Sequence, residues 1–192
     1  MSSELKNLAN SLQSELDEIK QQTDLENQLN EIRQKIYALD DENLEKQLNS
    51  LKSEAIKLFE ENNFNFKKEQ LNEGKEKFVF SYGEFVISII FPNPKQPYLG
   101  YRSVIDINVS HGRKQKEYFI GLFSKSSSLQ TEKLPLPERI QALEKYLEEY
   151  EPRKYHITTV NAENKRQDLL VTELENFSQH IDVLLKHFKA QS

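Results

Sequence analysis

The chain has no cysteine and only five glycines among its 192 residues. Without cysteine there are no disulfides, no zinc–thiolate sites and no thiol nucleophiles, a usage that fits a reducing compartment. Glycine and proline are also confined. Neither occurs in residues 1–73, all five glycines lie between Gly74 and Gly121, and the last proline is Pro152. Both disfavour helix interiors, so the first 62 or so residues read as helix and the middle as strands and turns. Long hydrophobic runs are missing too. The most apolar stretch, "FVISIIF" from Phe85 to Phe91, is far short of the ~20 residues a spanning helix needs. Glu4 and Lys6 stand where a signal peptide would need an apolar core. The expectation is a soluble, cytoplasmic protein with no membrane association. A net charge of −5 is too mild for a dedicated nucleic-acid or membrane binder.

What is present divides the chain in two. Residues 1–62 carry 7 Lys and Arg against 14 Asp and Glu, whereas residues 63–192 carry 19 against 17. The expected domains are therefore a helical coiled-coil stalk over 1–62, or a folded-back helical hairpin or bundle, and an α+β head over 63–192. Three leucine-rich blocks step by 3 and 4 along the stalk: Leu5, Leu8, Leu12, Leu16 and Ile19; then Leu25, Leu29, Ile32, Ile36 and Leu39; then Leu44, Leu48, Leu51, Ala55 and Leu58. That spacing draws an apolar stripe along one side of a helix, and the stripe needs a partner. It slips between blocks, six residues from Ile19 to Leu25 and five from Leu39 to Leu44. Start signals coincide with the slips. Thr23 to Glu26 has the form of a capping box, and Asp40-Asp41 suits a helix N-terminus. One reading is a single rod of roughly 90 Å whose partner is a second chain. The other is a set of short helices folded back on each other. In the first, Leu25, Leu29, Ile32, Ile36, Leu39, Leu44, Leu48 and Leu51 mediate a homodimer, parallel or antiparallel.

From Phe64 onward the pattern has period two. "KFVFSY", "FVISIIF", "SVIDINV" and "EYFIGLF" read as a four-stranded antiparallel meander covered on one face. Pro137 suits the first turn of a helix, Tyr155 to Val160 reads as a short fifth strand, and Arg166 to Lys189 as a last helix with Leu169, Leu170, Leu174, Phe177 and Ile181 on its apolar face. The fold class is α+β: a helical stalk, then a four-stranded sheet covered by two C-terminal helices.

The loop "FPNPKQPYLGYR" from Phe91 to Arg102 holds three of the six prolines. It reads as a stiff connector or as a pre-organised docking loop, with Tyr98, Tyr101 and Arg102 as partner-binding residues. A helix leading into a small sheet with proline–aromatic punctuation and closing helices resembles the RWD-type domains of kinetochore and adaptor proteins. Their motif is a tyrosine–proline pair with another proline a few residues on. Here Phe91-Pro92 stands instead, Pro97 is loosely spaced, and the run follows the second expected strand rather than the third. The resemblance covers one loop and an order of elements, and implies the architecture alone.

A second candidate is basic: His111, Arg113, Lys114 and Lys116 crowd one expected hairpin tip, where cations can meet phosphates. Catalytic spacing is poor. His111, His156, His180 and His187 lack a metal-binding pattern, and Asp106, Glu84 and Lys77 lack the run that a carboxylate–lysine nuclease site needs. No metal, cofactor or catalytic residue is expected. The sequence points to a non-enzymatic protein–protein interaction or adaptor protein, oligomerised by its N-terminal helices, with a protein partner on the head. Its rival is a nucleic-acid accessory protein contacting phosphates through residues 111–116. A small-ligand or hydrolytic domain using Asp106 and Glu84 is the third reading.

Overall fold

A computed structural model describes residues 3–95, 103–124, 131–152, 155–161, 168–170 and 176–190. The fold is α+β. A single helix, α1, runs from Ser3 to Glu61. Five strands follow, β1 (Asn65–Gln70), β2 (Glu76–Tyr82), β3 (Phe85–Phe91), β4 (Ser103–His111) and β5 (Lys114–Ser124). Next come helix α2 (Leu136–Glu148), strands β6 (Tyr155–Asn161) and β7 (Asp168–Leu170), and helix α3 (Phe177–Ala190). The strands form one sheet in chain order, antiparallel throughout.

The expected meander of four strands is thus five. The missed one, β1, is an edge strand carrying Lys67, Lys68, Glu69 and Gln70, and charge on an edge is how sheets discourage further pairing. The short strand expected at Tyr155 to Val160 is β6. Leu169 and Leu170, expected in the last helix, lie in β7, and Leu174 falls outside the described residues. Helix α3 starts at Phe177, and its cap explains why. The Asn176 side-chain oxygen accepts from the Gln179 amide at 3.0 Å, while the Phe177 amide donates to Glu54 at 3.3 Å.

Neither slip in the leucine pattern breaks α1. Thr23 does not cap a helix; its hydroxyl donates back to the Ile19 carbonyl at 2.8 Å, the local bond a mid-helix threonine makes without ending the helix. Asp40 is buried and accepts from Tyr150 at 3.0 Å. Both polar residues find partners inside a continuous helix.

The chain forms two compact units, residues 1–40 with 127–152 and residues 41–126 with 153–192. The division expected at 62/63 instead falls within α1, because each half of that helix has its own partners. In the first unit, Leu29, Ile32 and Ile36 bury against Ile140 and Leu143 of α2, with Leu25, Leu136, Tyr146 and Leu147 around them. In the second, Leu44, Leu48, Leu51, Ala55 and Phe59 share a core with the inner sheet face and with Phe177, Ile181, Leu184 and Phe188 of α3. That face is built by register. Phe78, Ile89, Ile107 and Tyr118 lie side by side across β2 to β5, and all four are buried. Of the two C-terminal helices expected to cover the sheet, α3 does so, together with the C-terminal part of α1. Helix α2 is an excursion between β5 and β6 that packs on the N-terminal part of α1. Gly83 and Gly112 hold positive φ at the β2–β3 and β4–β5 turns, the conformation such tight turns require.

Candidate functional site

A run of exposed large aliphatic side chains lies on the first third of α1. Leu8, Leu12, Leu16 and Ile19 are between 51% and 62% exposed. The slip after Ile19 accounts for this. At 100° per residue, the stripe over 8–19 and the stripe over 25–36 point roughly 130° apart around the helix. A helix lying on the second stripe therefore leaves the first uncovered. Alanine-sized contacts or polar residues would be the norm for a solvated face, whereas four large aliphatic residues in helical register form a seam. Polar groups flank it: Lys6, Gln13, Glu15 and Lys20 are all exposed.

The eight residues expected to pair two chains are placed differently. Leu29, Ile32, Ile36, Leu44, Leu48 and Leu51 are buried, in cores formed within the chain. Leu25 and Leu39 are half-buried, Leu25 against the α2 cluster. The oligomerising stripe predicted over 25–51 is thus core, and the block left exposed is the one N-terminal to it.

The docking loop is seen only in part. Pro92, Asn93, Pro94 and Lys95 are described; Tyr98, Tyr101 and Arg102 lie outside the described residues. Asn93 anchors the visible part, donating to the Glu73 carbonyl at 3.0 Å and accepting from the Lys95 amide at 3.1 Å. These residues edge a groove of about 610 Å³, which is also lined by Asn49, Lys52, Lys68, Glu76 and Phe78. Inside it the Glu76 carboxylate receives Lys52 at 2.6 Å and Lys68 on its other oxygen. Burial works to raise the Glu76 carboxyl, but hydrogen bonds from Lys52 and Lys68 outweigh it and hold the group below the usual carboxylate range. Lys52, Lys68 and Glu76 thus neutralise one another, and the groove reads as an ion-paired seam tying α1 to the sheet.

The basic tip is partly spent on the fold. Lys114 donates to the Phe188 carbonyl and lies 4.2 Å from the centre of that ring, where the C-terminal end of α3 favours a cation. His111 and Arg113 are exposed, and Lys116 is half-buried. The carboxylate–lysine cluster is not assembled. Glu84 sits at the β2–β3 turn, near Gly112. Asp106 lies on the outer sheet face, between Ile90 and Phe119 in register. Lys77 pairs with Glu69 at 3.6 Å. Burial pushes the Asp106 carboxyl up, Lys75 opposes this, and Glu117 adds to it.

Among the histidines, His180 is fully buried on the inner face of α3 and pushed down to about 4 by burial. His187 meets the Tyr118 hydroxyl at 3.2 Å. His156 has no described side chain. Among the described residues, no group of three or more His, Asp or Glu could hold a metal ion, and no helix is long and apolar enough to cross a membrane. Sequence reasoning missed the buried Asp40–Tyr150 pair and the Lys52–Glu76–Lys68 triad. Both join residues far apart in the chain, so no local signal marks them. No protein family matches the chain, and no curated protein or solved structure matches it.

Proposed function

We propose that this chain is a non-enzymatic interaction protein, an adaptor that associates through its N-terminal helix and takes a protein partner on its α+β unit. One observation carries the reading: Leu8, Leu12, Leu16 and Ile19 stay exposed at helical spacing, whereas Leu29, Ile32, Ile36, Leu44, Leu48 and Leu51 further along the same helix are buried in cores within the chain. Burying such a seam is favourable in proportion to its apolar area. Association then raises the local concentration of the α+β units, so a weakly bound partner is held by avidity. The outer sheet face, with Ile90 and Phe119 half-buried beside Asp106, supports a docked partner on that unit.

Sedimentation velocity over a range of concentrations tests the reading. The expected result is reversible association of the full chain that is lost in the Leu12→Asp, Leu16→Asp variant. A wild-type chain that stays monomeric at every concentration would refute it. The phosphate-contacting hairpin is the less favoured reading, since Lys114, one of its cations, is bound to the end of α3.

A further inference from the structure

We infer that the partner of the exposed seam is a second copy of this chain, bound in parallel and in register over residues 5–20. The inference rests on the reading above and deepens it by naming occupant and orientation. In heptad terms Ala9 and Leu16 take the a positions, and Leu12 and Ile19 the d positions, which form the core of a two-stranded coiled coil. Leu8 and Glu15 then fall at g, Leu8 widening the apolar core on that side, with Lys20 at the e position after Glu15 and Lys6 and Gln13 at the earlier e positions. In a parallel dimer each g residue faces the e residue five places on in the partner. Glu15 of each copy therefore meets Lys20 of the other, twice by symmetry, and no like charges meet.

The antiparallel alternative has the opposite charge pattern. Aligning the same apolar residues head to tail sets Leu12 against Leu16 and Ala9 against Ile19. Its flanks then bring Glu15 onto Glu15 and Lys6 onto Lys20, all like-charged. With its apolar residues fully overlapped the seam is self-complementary in the parallel orientation only, and that complementarity favours a second copy over an unrelated helix. A two-heptad peptide would not hold helical alone. Here the segment continues into the part of α1 that α2 packs against, so the helix is ordered before the partner arrives. So short a seam gives a dimer that dissociates on dilution.

The chain has no native cysteine, so single cysteines report orientation cleanly. The test uses full-length Ala9→Cys and Ile19→Cys variants, alone and mixed, in a glutathione redox buffer, with products identified by mass. A parallel dimer joins Ala9→Cys to itself, and the mixed 9–19 product stays minor. A dominant 9–19 product overturns the parallel inference while leaving association intact. A sedimentation mass above two chains overturns the dimer, and a monomer with no cross-link removes inference and reading together. Charge reversal supplies the second arm. Glu15→Lys and Lys20→Glu should each weaken self-association about five-fold, and mixing the two variants should restore it. Equal association in all three samples would refute the Glu15–Lys20 contact.

Discussion

The hydroxyl of Tyr150 donates to the buried Asp40 carboxylate across 3.0 Å, joining the segment after α2 to α1. It supplies a buried polar anchor beside the apolar contact of α1 with α2, where Gln28 also donates to Glu144 at 3.1 Å on the exposed side. Tyr150→Phe keeps the ring, which meets Tyr146 edge-on, and removes only the donor. The expected cost is about 1.5–3 kcal/mol, the net worth of a hydrogen bond to a charged acceptor. Hydrogen exchange should show the loss as faster amide exchange in α2, with the β2–β5 amides unchanged. Uniform acceleration through both units would contradict this assignment.

The leucine blocks predict opposite outcomes for the same substitution. Ile36→Asp places a charge in the core formed with Ile140 and Leu143 and should destabilise the first unit by about 3–5 kcal/mol. Leu12→Asp acts on an exposed position and should change folding by no more than about 0.5 kcal/mol. Circular dichroism during urea unfolding separates the two. If Leu12→Asp proves as damaging as Ile36→Asp, the first block is not solvent-facing.

How far the sequence exposed this arrangement depends on the range of the forces involved. Period-two runs such as Phe78–Tyr82 and Phe85–Phe91 were legible as strands, because alternation is local and one face is buried. The 3-and-4 spacing was legible as helix for the same reason. What covers each leucine block was not, since α2 lies about a hundred residues further along the chain and periodicity carries no address. Thr23 and Asp40 looked like helix starts because their side chains can serve either as caps or as mid-helix hydrogen-bonding groups. Strand β1 stayed hidden because its only strong signal is Phe64 and Phe66, followed by four charged or polar residues. Of the candidate sites, the hairpin cations were readable, but the end of α3 that engages Lys114 was not.

The Lys52–Glu76–Lys68 triad gives a salt-dependent prediction. Glu76→Gln preserves shape and leaves two ammonium groups facing an amide. Lys68 is half-exposed, so screening reduces the effect, and the expected loss is about 1 kcal/mol at low salt. At about 1 M salt the difference between variant and wild type should narrow markedly. A deficit independent of salt would show that Glu76 contributes through packing rather than charge.

Acid stability should depend on His180. Burial pushes this imidazole down to about 4 from its ordinary 6.5, so between those values the unfolded chain binds the proton and the folded chain does not. Stability must then fall as pH drops through that window and be unaffected by this residue above it. Between about pH 7 and pH 5 the expected loss is about 2 kcal/mol. Glu76, held below the usual carboxylate range, adds its own loss only at lower pH, while the raised Asp106 carboxyl works in the opposite sense as acid is added. His180→Leu removes the titration and keeps an apolar side chain among Phe177, Ile181 and Leu184. Urea midpoints measured at the two pH values should therefore converge for the variant and diverge for the wild type. Equal pH dependence in both would mean that His180 is protonated in the folded chain or reaches water.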